Sequence, residues 1–337
     1  MGKKGNNSSA SDFGWDFQHH AAIVMMLRHL SIAKAIRIEG KNDDIEITKL
    51  DGKKIFAQAK SAERPEEDAN RIAKLKKALK TLAKDNDTGI ADSLVFITNS
   101  QNPFNDVESI QMFSSGSSRI PFADLTTTCQ SVIKEICKKS GYNVPCEKLI
   151  VWSFYFRGSD DNRYRIVRDC IRDFIATLGT ACPSVNVDNV YNRWRNDFVL
   201  NASNSRTDVT ISKENMLWPI IAWMCDLSND DAAELNLDEG AVDEIRRVYR
   251  KIISDKTEDF QFVTRVISDF KSRQRVSIVP SRQEKAKYIA SKWKDYLTDF
   301  DLEGVDEEIK QYVVSLAISN IIRSRYVISE MKSRYGI

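Results

Sequence analysis

An aspartate and a Gln-x-Lys triplet in the first sixty residues have the types and spacing of a metal-dependent hydrolytic site. Asp44 begins the run Asp-Ile-Glu-Ile, and thirteen residues separate it from Gln58-Ala59-Lys60. A carboxylate is a hard ligand for a divalent cation, and Gln58 offers a neutral amide oxygen as a second ligand. Lys60 would orient an attacking water or stabilise the charge that develops on a phosphate. The alternative is that these polar groups only solvate one face of a hairpin, and the spacing alone leaves both interpretations open.

Apolar residues predict the register of the hairpin that carries this set. A two-residue turn would place the apolar residues of the two strands on different faces. A three-residue loop at residues 51–53, with glycine at its centre, brings them onto one face. The other face then carries Asp44 opposite Lys60 and Glu46 opposite Gln58. This matching favours Asp44 over the preceding aspartate as the metal ligand.

The elements that must position these residues follow the order helix, three strands, helix, strand. Periodicity predicts, in chain order, a helix opening at Gly14 to Gln18, a strand Ala35 to Glu39, the hairpin, a helix from about Glu66 to Lys84 and a strand Ser93 to Asn99. A loop from Asn99 to Pro121, a helix Ala123 to Lys139 and a strand Leu149 to Phe156 are expected to follow. This order is typical of an α/β, restriction-endonuclease-like core.

These motifs resemble the double-stranded-DNA endonuclease domains of bacterial antiphage systems, which are related to Mrr-type nucleases. The matching residues are Gly14 to Gln18, Glu39, Asp43, Asp44, Ile45, Gln58, Lys60, Thr98 and Asn99. The resemblance covers roughly residues 12 to 156 and implies a PD-(D/E)xK site with Asp44, Gln58 and Lys60 as catalytic residues. It further implies that Mg²⁺ or Mn²⁺ binds Asp44, Gln58, the Ala59 backbone carbonyl and, as an additional ligand, Glu39. Gln18 and Glu46 are expected to support these ligands.

Charge on the helix that follows the triplet suggests where DNA would bind. Its solvent-facing side carries Lys74, Lys77, Lys80 and Lys84, whereas its apolar residues form a separate stripe. Contact with phosphates is the functional interpretation, and a solvated helix face is the other. The sequence does not decide between them.

The chain changes character near residue 158. We predict a disordered tail at residues 1–11, the nuclease domain at 12–158 and an all-α domain for regulation or oligomerisation at 159–337. The predicted helices of the last part include Arg163 to Leu178, Asp188 to Leu200 and Asp306 to Arg334. The longest of them is our preferred self-association element, with apolar positions at Ile309, Val313, Leu316, Ile318, Ile321 and Ile322. Some of these residues must instead pack within the protomer, and the sequence does not divide them.

Composition and charge exclude several classes of protein. The net charge of +2 excludes a globally basic nucleic-acid binder, so any contact with DNA has to come from local patches. The six cysteines include no Cys-x-x-Cys pair, which argues against a zinc site or a disulfide framework and suits a reducing cytosol. The longest apolar stretch, near Met216 to Cys225, is about half of a membrane span. We therefore expect a cytoplasmic protein with no membrane partner.

The resemblance implies an antiphage effector that cleaves double-stranded DNA. Because the C-terminal half contains no recognisable nucleotide-sensing domain, a Lamassu effector matches better than a CBASS effector. That assignment implies control by an SMC-like ATPase and a small accessory subunit, with release to form a homo-oligomer. The alternative is a catalytically silent module of the same fold that binds DNA or a partner within a defence complex. The activating trigger, the cleavage specificity and the oligomer number stay open.

Overall fold

Two compact units make up the chain in the computed structural model, which describes residues 9–114, 117–178, 185–224, 239–273 and 282–336. Unit 1 comprises residues 1–174 and 187–213. Unit 2 comprises residues 175–186 and 214–337. The division agrees with an α/β part followed by a helical part, although the boundary differs from the predicted one.

A seven-stranded mixed sheet forms the centre of unit 1. Its strands are β1 Ala33–Ile38, β2 Ile45–Lys49, β3 Lys54–Lys60, β4 Ala91–Thr98, β5 Ser118–Pro121, β6 Leu149–Ser153 and β7 Ile211–Ser212. The spatial order is β5-β6-β4-β3-β2-β1-β7. Strands β1, β2 and β3 are antiparallel neighbours, whereas β3, β4 and β6 run parallel. The candidate hairpin therefore adjoins the parallel half of the sheet, where loops at the strand ends form ligand sites in many α/β folds.

Helices cover both faces of this sheet because its strands present apolar residues on both sides. The helices of unit 1 are α1 Ser9–His29, α2 Arg71–Asn86, α3 Ile110–Phe113, α4 Thr127–Ser140, α5 Asp160–Thr177 as far as residue 174, and α6 Val187–Ser203. On one face, Phe56, Leu94 and Phe96 pack against Leu75 and Leu79 of α2. On the other face α1 packs against β1, β2 and β3, and its residues 20 to 26 are all buried. This burial fixes α1, and with it Gln18, relative to the sheet.

The segment predicted as a loop from Asn99 to Pro121 contains structure. Besides α3 it includes β5, which pairs antiparallel with β6 through partners such as Ser118 and Ser153. Its polar composition concealed the strand, because an edge strand needs only one pairing partner and tolerates a proline such as Pro121 at its end.

Unit 1 extends past the predicted boundary at residue 158. It continues through most of α5 and includes α6 and β7, a short strand in the part predicted to be all α. The Asn201 side chain of α6 accepts a hydrogen bond from the Ile38 amide at 3.0 Å, and the buried Arg37 guanidinium donates to the carbonyls of Asn204 and Val209. Because these contacts are made by polar groups, they leave no periodic pattern of apolar residues, and the sequence did not predict them. The predicted tail at residues 1–11 also overlaps α1, which begins at Ser9, while residues 1–8 lie outside the described range.

The described secondary-structure elements of unit 2 are all helices. Its helices are the last turn of α5, α7 Lys213–Met224 from residue 214, α8 Glu239–Thr257, α9 Phe260–Arg273, α10 Arg282–Tyr296 and α11 Glu307–Tyr335. The long helix α11 packs against α8, α9 and α10. Asp306 caps it by accepting a hydrogen bond from the Glu308 amide at 2.8 Å.

Five of the six apolar positions named on the preferred self-association helix α11 are buried within the single chain. Val313, Leu316, Ile318, Ile321 and Ile322 are each at most 1% exposed within the single chain. Only Ile309, in the first turn, keeps intermediate exposure. Residues 313–322 of this helix are all buried, including the polar Ser315, Ser319 and Asn320, so neighbouring helices cover every side of this segment. In the parts of the chain that the structure describes, no helix is both long and apolar enough to cross a bilayer.

Candidate active site

The β2–β3 hairpin has a register two residues away from the predicted one. Ile45 pairs with Ala57, and Glu46 pairs with Phe56. The three-residue loop is 50–52, closed by a hydrogen bond from the Lys49 amide to the Lys53 carbonyl, with Gly52 at φ +83°. The prediction kept Leu50 in the strand because it is apolar, yet Leu50 is 58% exposed in the loop.

A shift of two residues preserves the two faces of the hairpin but changes the partners across it. Continuing the observed register places Asp44 across from Gln58, whereas the prediction placed it across from Lys60. It also separates Glu46 from Gln58. Asp44 and Gln58, which were expected to bind the same metal ion, therefore lie closer together across the hairpin than predicted.

Asp44, Ala59 and Lys60 converge at the end of β3. Asp44 Oδ2 accepts hydrogen bonds from the Ala59 amide at 2.9 Å and from Lys60 Nζ at 3.2 Å. Lys60 Nζ also donates to the Ala59 carbonyl oxygen at 3.1 Å. One ammonium group thus contacts both a carboxylate and a backbone carbonyl that the sequence predicted as metal ligands.

Glu39 and Gln18 complete the acidic side of this site. Gln18 Nε2 donates to Glu39 Oε1 and to the Asp44 carbonyl oxygen, both at 2.8 Å. Glu39 has a φ of +52°, a conformation that costs energy for a residue with a side chain. Burial raises the pKa of Glu39, the nearby Asp44 charge adds to this effect, and Gln18 and Lys60 oppose it.

Gln58 is buried at 5% exposure on the same face of β3 as Lys60. Among the residues that the structure describes, no hydrogen bond uses its amide. An amide without a protein partner is free to bind a ligand or a water molecule. Gln58 is therefore positioned and chemically able to contribute an oxygen to a bound ion.

Glu46 supports the site from a different position than predicted. Its carboxylate accepts hydrogen bonds from the Asn42 amide at 2.9 Å and from Lys54 Nζ at 2.7 Å. It therefore holds the β1–β2 loop, residues 39–44, instead of contacting Gln58. A Cβ atom at Gly40 would overlap this carboxylate, so a larger residue there would force the Glu46 side chain to move.

A buried carboxyl pair lies behind the same loop. Asp43 is 5% exposed and Asp85 of α2 is 1% exposed. Asp43 Oδ1 accepts a hydrogen bond from the Asp44 amide at 2.7 Å, whereas the second oxygen of each aspartate has no partner among described residues. Burial, together with Asp85, raises the pKa of Asp43 well above its usual range, and burial raises the pKa of Asp85 to about 6. Both carboxyl groups therefore bind a proton more readily than a solvent-exposed aspartate does.

Sequence reasoning missed two residues that organise the site. Asp85 lies on the same buried stripe of α2 as Leu75 and Leu82. A carboxylate at a position where the helical spacing predicts an apolar residue is the feature that could have identified it. Asn99, matched above only through the resemblance, donates to the Ala62 carbonyl at 2.7 Å and accepts from the Ala62 amide at 3.0 Å. It thereby fixes the backbone two residues after Lys60.

The lysines of α2 divide into two groups. Lys77, Lys80 and Lys84 are exposed. Lys74 Nζ instead contacts Asp68 Oδ2 and the Ser61 carbonyl, both at 2.7 Å. Its charge is largely compensated, so the predicted DNA-contacting set is reduced in practice to the other three.

The donor set fits a hard divalent cation, although it contains few acidic residues. Within the described ranges, no three His, Cys, Asp or Glu side chains gather in a manner able to hold a metal ion. Magnesium sites commonly use only one or two carboxylates and fill their other positions with water and substrate oxygens. Asp44 and the Ala59 carbonyl already converge on one cationic group, the Lys60 ammonium. Glu39 and Gln58 are the further oxygen donors beside them.

Comparison with known proteins identifies neither a family nor a function for this chain. Neither the protein-family models, nor the curated proteins, nor the solved structures contain a match to this chain. The function has to be argued from the residues and their geometry.

Proposed function

We propose that this chain is a Mg²⁺- or Mn²⁺-dependent endonuclease of the restriction-endonuclease-like fold that cleaves double-stranded DNA. The observation that carries the proposal is the contact of Lys60 Nζ with both Asp44 Oδ2 and the Ala59 carbonyl oxygen. The sequence motif predicts this association of an aspartate with a Gln-x-Lys strand. The mixed sheet, with α1 and α2 on opposite faces, supports the proposed fold.

Each residue of the set has a distinct role in the proposed hydrolysis. Asp44, Gln58, the Ala59 carbonyl and Glu39 would hold the cation, and Gln18 would orient Glu39. When bound, the cation would supply Lewis acidity toward the phosphate and lower the pKa of a water ligand. Lys60 would bind the attacking water or a phosphate oxygen through its ammonium group.

DNA contact is proposed for the exposed face of α2. Lys77, Lys80 and Lys84 recur at spacings of three and four residues, so they lie along one side of the helix. Phosphate contacts of this kind are independent of base sequence and weaken as salt rises. With a net charge of only +2, such a local patch has to provide the attraction.

The biological setting is proposed from the resemblance alone. It supports an effector of antiphage defence in the cytoplasm, of the Lamassu kind, held inactive by an SMC-like ATPase and a small accessory subunit. Cutting both strands of a duplex calls for two active sites, which supports a homo-oligomeric active form.

The test is cleavage of a linear duplex by the full-length chain with Mg²⁺ and with a chelator. Asp44→Ala should remove cleavage, because it removes a ligand and the partner of Lys60. Asp51→Ala is the matched control on the same hairpin, since Asp51 lies in the exposed loop and should leave the rate unchanged. DNA binding that is indifferent to chelator and to Lys60, with no cleavage by the unmodified chain, would instead identify the catalytically silent module.

A further inference from the structure

A second candidate site lies beside α1 in unit 1. It is a cavity of about 690 Å³ whose wall includes Trp15, His19, Arg163 and Arg195. None of the residues proposed to bind the metal belongs to this wall. The cavity therefore requires its own explanation.

The aromatic part of the wall offers a flat surface that is open to a ligand. Trp15 is 43% exposed, and its ring lies 6.0 Å from that of His19. His19 itself is only 7% exposed, and its Nε2 has no partner among the described residues. Burial, with a smaller contribution from His20, lowers the pKa of His19 to about 4, so the ring is neutral near pH 7. A neutral ring nitrogen can donate to or accept from a polar ligand atom.

The charged part of the wall combines cations with carboxylates. Arg195 keeps 49% of its side chain exposed and lies 3.7 Å from Asp16. Arg163 pairs with Asp160, and its Nε is a buried atom without a partner in the described part of the chain. Guanidinium groups suit a phosphate, whereas carboxylates such as that of Asp16 accept from base amino groups. A mixed wall of this kind fits a nucleotide better than a bare anion.

The cavity adjoins the proposed active site along two elements. Trp15 and Gln18 are three residues apart on α1, which makes them neighbours on one helix face. Glu63, another wall residue, is three residues after Lys60 and so lies within about 11 Å along the chain. A strand that passes the active site could therefore place an unpaired nucleotide here.

We propose that this cavity is a nucleotide-binding subsite in which a base stacks on Trp15 while Arg163 and Arg195 bind its phosphate. Two sources share this chemistry. One is an unpaired nucleotide of the DNA substrate, an assignment that rests on the proposed function, and the other is a free mononucleotide.

The experiment is calorimetric titration of the full-length chain with deoxyadenosine monophosphate in the absence of metal. Binding should weaken at least about fivefold in Trp15→Ala, because stacking on an aromatic ring is lost. Trp15→Phe should retain most of the affinity, since it keeps a ring. Arg195→Ala should also weaken binding. Arg193→Ala is its matched control, because Arg193 lies on the same helix with similar exposure and pairs with Asp197 away from the wall.

Unmodified protein that fails to bind the mononucleotide, or equal affinity in Trp15→Ala, Arg195→Ala and the unmodified chain, would overturn the proposal. The two possible sources of the bound nucleotide are distinguished by repeating the titration with a short duplex that has an unpaired end and with a sealed hairpin duplex. A preference for the unpaired end that Trp15→Ala removes supports a strand nucleotide, whereas an effect on the mononucleotide alone supports a free ligand. Because no cleavage is measured, mononucleotide binding can succeed even where the proposed nuclease activity fails.

Discussion

At the scale of single residues, Gln58 is the neutral side chain of the proposed metal-binding set. We expect Gln58→Ala to abolish cleavage, because it removes a proposed oxygen ligand from a buried position. Gln58→Glu should retain activity and bind Mg²⁺ more tightly, since a carboxylate adds charge to the site. Cleavage rates and calorimetric Mg²⁺ affinity measure the two effects. Undiminished cleavage by Gln58→Ala would show that the side chain only fills space.

The carboxyl pair of Asp43 and Asp85 predicts a dependence of stability on pH. Both pKa values are raised in the folded chain, so between about pH 4 and 6 the folded state binds more protons than the unfolded state. The contribution of this pair to the free energy of unfolding is present at pH 4 and is lost as the pH rises through the pKa values of the folded state. The negative charges of Glu46 and Asp44 raise the pKa of Asp85 further, whereas the positive charge of Lys84 lowers it.

Asp85→Asn should therefore stabilise the chain at pH 7.5, by about 1–2 kcal/mol, because it removes a carboxylate whose ionised form is destabilised by burial. The gain should shrink toward pH 4. Denaturant unfolding at both pH values measures it. Asp87→Asn is a matched control, since Asp87 is exposed just beyond the same helix. A gain that is equal at the two pH values would contradict the raised pKa of Asp85.

At the scale of elements, the β1–β2 loop determines where Asp44 lies. Gly40→Ala should lower the free energy of unfolding by about 1–3 kcal/mol and reduce cleavage, because the added Cβ displaces the Glu46 carboxylate that holds the loop. Gly14→Ala is the control, since a Cβ there meets nothing within 4 Å in a helix. Unchanged unfolding and cleavage in Gly40→Ala would show that the loop adapts without consequence.

The β2–β3 hairpin could be predicted from the sequence only in part. Alternating apolar residues predicted the strands of the hairpin and the common face of Asp44, Gln58 and Lys60, because burial of one face is a strong constraint. The register was two residues in error, because an exposed Leu50 in the turn cannot be distinguished from a strand residue by its polarity. Asp85 and Asn99 act through polar contacts with residues distant in the sequence, and such contacts leave no periodic pattern to detect.

At the scale of the whole molecule, activity on duplex DNA should depend on assembly. The apolar positions of α11 from Val313 to Ile322 are buried within the chain, so the self-interface has to use other surfaces. We expect the active full-length protein to be a dimer or larger, because one site cuts one strand. Multi-angle light scattering during cleavage measures the mass. A monomer that cuts both strands at an undiminished rate would contradict this expectation.

The most direct test of the central claim concerns Lys60, whose ammonium contacts both Asp44 and the Ala59 carbonyl. Mg²⁺-dependent cleavage of a duplex should be measured for Lys60→Ala together with calorimetric Mg²⁺ affinity. Lys53→Ala, in which an exposed hairpin lysine is removed, is the matched control and should behave as the unmodified chain. The proposed nuclease site predicts that Lys60→Ala loses cleavage by at least about 100-fold but binds Mg²⁺ at least as well, because a competing cation is removed. Cleavage by Lys60→Ala at the rate of the unmodified chain would contradict the claim.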